Sequence, residues 1–205
     1  PLTMAFPQRT GAARPDAGPP LLEMRGGSDG RRFFDVSLAV RAGEIVGLGG
    51  LEGHGQREVI RALFGLHPLR RGEIRVGGRP VRLTGPADAL RHGLAFVPED
   101  RREEGLMLPL SVRENLVVAV LRRLHRAGVL RRREEARCVR ESVSRLRIRA
   151  DHPGVAVHTL SGGNQQKVVF GRWLLTEPRV LLLHEPTRGI DVEAKVEIYH
   201  LLRSL

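Results

Sequence analysis

Leu160-Ser-Gly-Gly-Asn-Gln-Gln-Lys167 runs into the helically spaced segment Val168 to Leu175, so Ser161 falls at a helix start. Gly162 and Gly163 let another group approach the backbone closely. The first-turn N–H groups of a helix have no acceptor within it. Several donors then converge on one anion without a cation, an arrangement suited to the terminal phosphate of a nucleotide. A bare Ser-Gly-Gly would serve equally as an ordinary helix cap. The full eight-residue string, and the motif that follows it, favour the phosphate.

That following motif is Arg179-Val-Leu-Leu-Leu-His184-Glu185-Pro-Thr-Arg-Gly-Ile-Asp191. Val180 to Leu183 reads as a buried strand, followed by a polar loop and a helix to Leu205. Ligands of open α/β sheets bind at the carboxyl ends of strands, where paired acids organise magnesium and polarise water. Glu185 supplies one acid. His184 occupies the other place, and a neutral imidazole brings no negative charge to a magnesium shell. A core histidine satisfied by its neighbours is the alternative reading of His184.

Upstream, Gly50-Leu-Glu-Gly53-His-Gly55-Gln56-Arg57 follows the apolar run Ile45 to Leu48 and opens a helically spaced segment, Gln56 to Phe64. Glycines there bring backbone N–H groups and a helix N-terminus to a phosphate. The standard loop also needs a Lys for the β- and γ-phosphates and a hydroxyl for magnesium, and Gln56 and Arg57 stand in their places. Taken alone, the loop reads equally as a tight structural turn.

The remaining chain is organised around these motifs. Phe33 to Val40, Glu44 to Leu48 and Glu73 to Val76 read as strands between glycine turns, and Ser111 to Leu146 as helical. Residues 1–20 are rich in Pro, Gly and Ala and read as a linker. With no initiating Met, the chain reads as a fragment. No run approaches the roughly 18 to 20 apolar residues of a membrane-spanning helix. Cys138 is the one cysteine, so an intrachain disulfide is impossible and a reducing compartment is expected. The formal charge of +11 is almost all arginine, with Lys167 and Lys195 the only lysines, which points to coding bias. The six Phe, one Trp and one Tyr are too scattered to make a base-stacking surface, and no nucleic-acid partner is expected.

The order of glycine loop, LSGGNQQK, and strand with Glu185 and Asp191 resembles the ATP-binding-cassette family from about Leu21 to Leu205. Val97-Pro-Glu-Asp-Arg-Arg-Glu-Glu-Gly105, Ser111-Val-Arg-Glu-Asn-Leu116 and Glu185-Pro-Thr-Arg-Gly-Ile-Asp-Val192 narrow it further. They look like the carboxy-terminal cassette of the fused two-cassette ATPases of bacterial monosaccharide importers. The resemblance implies an α/β P-loop NTPase core with an antiparallel β subdomain and a helical subdomain at about 101–158. The final strands would be missing, which would leave the isolated piece poorly stable.

The same resemblance implies ATP and Mg2+ as cofactors, and as partners a second cassette, membrane permease subunits and, indirectly, a periplasmic sugar-binding protein. The location implied is the cytoplasmic face of the inner membrane. Cassettes of this family dimerise head to tail. Ser161, Gly162, Gly163 and Gln165 would therefore meet the partner's ATP, while Gly50, Gly53, Gly55, Gln56 and Arg57 line the chain's own site. Glu185 is the implied catalytic base, Asp191 belongs to the loop coupling the two sites, and Phe33 or Phe34 would stack on adenine. Gln56, Arg57, Glu99 (in place of a magnesium-sensing Gln) and His184 all depart from the pattern at one site, so no metal ligand is assigned and that half-site is expected to turn over slowly, if at all. Two other readings stand beside this one: a soluble cassette acting on ribosomes or nucleic acid, and a nonfunctional fragment.

Overall fold

The computed structural model describes residues 18–126 and 128–205, so most of the expected linker at 1–20 lies outside the described residues. The chain divides into two compact units. A sheet unit takes residues 18–96 with Arg179–His184, and a helical unit takes Val97–Pro178 with Glu185–Leu205.

The sheet unit holds β1 (Leu22–Ser28), β2 (Val36–Val40), α1 (Gln56–Leu63), β3 (Arg71–Val76), β4 (Arg79–Val81), α2 (Pro86–Arg91) and β5 (Leu94–Val97). Four of its strands form one antiparallel sheet in the order β2-β1-β3-β4. Leu22 lies opposite Val40 on one side and Val76 on the other. The period-two pattern buries Leu22, Met24, Ile74 and Val76 on one face. The register slips at Gly26-Gly27, where a side chain on Gly27 would run into Met24. That slip is why β1 escapes a pattern search for strands. Val59, Ala62 and Leu63 form the buried stripe of α1, and Phe64 stacks on Phe96 with ring centroids 5.3 Å apart.

The expected strand over Glu44–Leu48 does not form. Ile45 is 80% exposed, and no strand among the described residues pairs with this stretch. β propensity becomes a strand only where a neighbour takes up the backbone N–H and C=O groups. β5 does find a partner, Val180–Leu183, in a separate two-stranded sheet.

The helical unit opens with a π-helical turn, Arg101–Gly105, capped by Asp100, which accepts from the N–H groups of Arg102 and Glu103. Then come α3 (Val112–Val117), a 3-10 turn, α4 (Leu121–Leu124), β6 (His125–Arg126), β7 (Val129–Leu130) and α5 (Arg132–Arg145). The continuous helical reading of Ser111 to Leu146 is thus broken by a short hairpin, where Gly128 takes φ +79. Ser111 and Glu114 close a reciprocal capping box at the start of α3. The unit's last elements are α6 (Gly162–Leu174) and α7 (Val192–Ser204); between them in the chain, β8 (Val180–Leu183) belongs to the sheet unit, where it joins β5.

α6 is buried from Gln165 to Arg172. Arg172 gives Nε to the Asn115 carbonyl at 2.8 Å, one terminal nitrogen to the Gly105 carbonyl at 2.5 Å, and the other to Asn115 Oδ1 at 2.8 Å. Asn115, fully buried, sends its own amide to the carbonyls of Met107, Leu110 and Ser111. Burial pulls the Arg172 guanidinium down to about 10, so it stays charged at neutral pH. One cation therefore ties α6 to α3 and to the π-turn.

Two outcomes follow for the full-length protein. Arg172→Met fills similar space but takes the guanidinium from the buried Gly105 and Asn115 carbonyls, while Asn115 Oδ1 keeps the Met107 N–H, so urea unfolding of this unit should show a loss of about 3 kcal/mol. In the sheet unit, burial alone would raise the Asp29 carboxyl. The N–H groups of Arg31, Arg32 and Phe33, with the His67 ring, outweigh it and hold Asp29 far below the usual carboxylate range. With its folded value below the unfolded one, about 3.9, Asp29 stabilises the fold fully above roughly pH 5 and loses that contribution as pH falls from there towards the folded value. Asp29→Asn should flatten this acid limb, measured as melting temperature from pH 6 to 2.5.

Candidate functional site

In the helical unit the local chain builds a polar corner at the start of α6. Ser161 is the N-cap in extended conformation, exposed, with Oγ accepting from the Asn164 side-chain amide at 3.0 Å and its backbone N–H at 3.4 Å. The cap and the anion grip are thus compatible, since one hydroxyl orients the turn while the first-turn N–H groups remain at the helix end. A Cβ on Gly163 would sit 2.5 Å from Ala194 Cβ, and one on Gly162 only 2.8 Å from an Arg101 terminal nitrogen. Gly163 is therefore required for packing as well as for backbone access, while a side chain on Gly162 would displace the end of Arg101 and crowd the Gly189 carbonyl at 3.3 Å.

Asp191, whose Oδ1 accepts from Ala194 N–H at 2.8 Å, caps α7 beside Gly163. Ser161, Gly163, Asn164 and Asp191 line one shallow cleft with Arg149 and Glu193. Two of its acids have cationic partners: Glu193 faces Arg149 at 3.8 Å and Glu197 meets Lys167 at 2.5 Å. Asp191, held by the Ala194 N–H, leaves the edge slightly negative, so attraction for an anion falls to the backbone N–H groups at the helix start.

Two members of the quoted string turn inward. Gln165 is buried and donates to the carbonyls of Leu160 at 3.0 Å and His158 at 3.4 Å. Its expected nucleotide contact is replaced by this role inside the unit. Lys167 is also buried, holding the Arg147 carbonyl at 3.1 Å as well as Glu197. It braces α6 against α7.

Glu99, Glu185 and Arg188 belong to the same unit. Glu99 pairs with the Arg188 guanidinium. Glu185 is exposed at φ 45, a left-handed conformation that costs a residue with a side chain about 1 kcal/mol or more. Motif reading assigned no role to Arg101 or Arg188. Arg101 donates 3.0 Å bonds to the carbonyls of both Arg188 and Gly189.

In the sheet unit the glycine loop has a different character. Gly55 is the N-cap of α1 at φ +95, and a side chain there would lie 2.6 Å from the Arg32 carbonyl. Gly53, also left-handed at φ +84, has open space around it. Gln56 folds back across the loop, its Nε2 donating to the Leu51 carbonyl at 3.1 Å and lying against Gly50. An uncharged amide thus sits inside the turn. The residues present do not fit a magnesium nucleotide well, lacking the Lys, the hydroxyl and the strand-end acid. Among the described residues no group of three or more His, Cys, Asp or Glu is placed to hold a metal. Phe33 is buried against His67, ring centroids 6.4 Å apart, which removes it as a stacking surface, while Phe34 is 65% exposed.

The family pattern described as ABC transporter matches residues 33–188. A ribose import ATP-binding protein, RbsA 1, of Mesorhizobium japonicum is 49% identical over 202 residues, covering 98% of this chain and 39% of the relative. RbsA 1 of Rubrobacter xylanophilus is 52% identical over 203 residues, covering 98% and 40%. The chain therefore spans about two fifths of the length of the curated relatives it matches. Among solved structures, MJ1267, an ATP-binding cassette of an ABC transporter, superposes with a TM-score of 0.76 at 18% identity, over 91% of this chain and 78% of that one. A nucleotide-free ATP-binding cassette gives 0.73 at 17% identity, over 90% and 78%. The fold is that of an ATP-binding cassette, and by motif order, sequence identity and structure alike the chain belongs to the ABC transporter family.

Proposed function

We propose that the chain is a nucleotide-binding domain of a sugar importer whose main contribution to ATP hydrolysis is made in trans, through the turn Ser161–Gly163. The observation that carries this reading is the contrast between two phosphate-type sites. Gln56 closes the chain's own loop with a neutral amide on the Leu51 carbonyl. Ser161 stays exposed at the mouth of a helix whose glycines are already packed into place.

On this reading a partner cassette presents ATP with its magnesium to the start of α6. The Ser161 hydroxyl and the first-turn N–H groups then hold the terminal phosphate, where fixed dipoles act without reorganising. Asp191 relays the state of that turn to α7. Glu185 is the proposed base of the chain's own half-site, which would turn over slowly because the loop Lys, the hydroxyl and the strand-end acid are absent there.

The relatives' names, ribose import ATP-binding proteins, support a simple sugar as the transported class. The proposed partners are a second cassette, permease subunits and an external sugar-binding protein, with the domain on the cytoplasmic face of the membrane. No helix among the described residues is long and apolar enough to cross a membrane.

The test uses the complete two-cassette protein with its permease. Ser161→Arg blocks the turn, and Gln56→Glu places an anion in the chain's own loop and removes the amide's bond to the Leu51 carbonyl. Ser161→Arg should cut ATPase kcat by roughly 100-fold or more, and Gln56→Glu should leave it within about twofold. Equal losses, or loss from Gln56→Glu alone, would contradict the proposal.

A further inference from the structure

We infer that Glu99, Arg101 and Arg188 form a clasp that fixes the loop 185–191 against the first turn of α6, which makes Arg101 a positioning residue for the anion grip at Ser161–Gly163. The inference rests on the trans reading above for its functional consequence, but its geometry stands alone.

Arg101 reaches a loop 87 residues further along the chain. Its two terminal nitrogens donate to consecutive carbonyls, Arg188 and Gly189, each at 3.0 Å. Consecutive carbonyls face one donor fork only in a turn, and this one is set by the Arg188 N–H to Glu185 carbonyl bond at 3.0 Å and by Gly189 at φ +65. A planar guanidinium fits such a pair, whereas an ammonium offers a single point. The Arg188 side chain returns across the gap to Glu99, two residues before Arg101. The segments 99–101 and 188–189 are thus joined from both directions.

The same fork is wedged against the grip. A Cβ on Gly162 would lie 2.8 Å from Arg101 and 3.3 Å from the Gly189 carbonyl, so any larger residue there would push the clasp open. Arg101 Nε is buried without a hydrogen-bond partner. The side chain gives up one donor to keep its other two on the loop. Asp100, whose carboxylate takes the N–H groups of Arg102 and Glu103, anchors the turn that aims Arg101. The start of α6 and residues 188–189 are thereby held in register through one rigid plane.

The experiment again uses the complete transporter. Arg101→Met removes both carbonyl bonds, and Arg101→Lys keeps the charge on one nitrogen without the planar fork. Arg101→Met should lower kcat about tenfold or more with KM nearly unchanged, and Arg101→Lys should recover part of the loss. Hydrogen exchange should accelerate at amides 187–194 while α3 and α5 keep their protection. Glu99→Arg and Arg188→Glu should each speed exchange in this loop, and the double charge swap should restore protection. Unchanged exchange at 187–194 in Arg101→Met, failure of the swap to restore protection, or equal loosening throughout the helical unit would overturn the clasp. If Ser161→Arg abolishes turnover while Arg101→Met alters neither kcat nor exchange, the clasp alone fails. If Ser161→Arg has no effect while the exchange pattern appears as expected, the trans reading fails and the clasp survives as a structural element.

Discussion

One buried guanidinium sets the position on which the helical unit depends. Arg172 is 8% exposed, and each of its three nitrogen groups meets a fixed oxygen on the π-turn or on α3. Removing a cation from water is costly unless geometry and hydrogen bonding compensate, and here all its donor groups are engaged. Helix α6 consequently has little freedom to slide or rotate. Its N-terminus, ten residues upstream, inherits that rigidity, which an anion grip made of backbone donors requires.

Rigid placement gives the glycines of the α6 start two duties. Gly162 and Gly163 expose N–H groups, and they also let Arg101 and Ala194 approach to within contact of the backbone. Access and packing cannot be separated by substitution at these positions, which is why Ser161, exposed and outside that packing, is the more informative place to perturb the grip. The glycine loop of the sheet unit has a different balance. Gly55 is demanded by its φ and by the Arg32 carbonyl, whatever the loop binds, and Gln56 satisfies the Leu51 carbonyl where a cation would otherwise project.

What the sequence disclosed was mostly local. The starts of α1 and α6 follow from glycine or serine ahead of helical spacing, and β8 follows from four consecutive apolar residues. Readings that depend on distant partners were harder. Glu44–Leu48 has the composition of a strand but nothing among the described residues pairs with it, and β1 was hidden by the glycine pair that shifts its register. The hairpin at 125–130 is two residues to a strand, too short for any period to register. Motif reading named Gln165 as a nucleotide contact because a string of letters carries no face; the helix turns that side chain inward. Arg101 and Arg188 stood inside quoted motifs without a role, since their bonds join residues nearly ninety positions apart. Phe33 and Phe34, adjacent and identical in type, were separable only once burial distinguished them.

On the proposed trans reading, nucleotide contact falls unequally on two sites of one chain, and a photoreactive ATP carrying its reactive group on the γ-phosphate would locate that contact. Bound to the complete two-cassette transporter without turnover, it should label this chain at residues 161–165, with little label at 50–57. Predominant labelling at 50–57, with none near the start of α6, would contradict it.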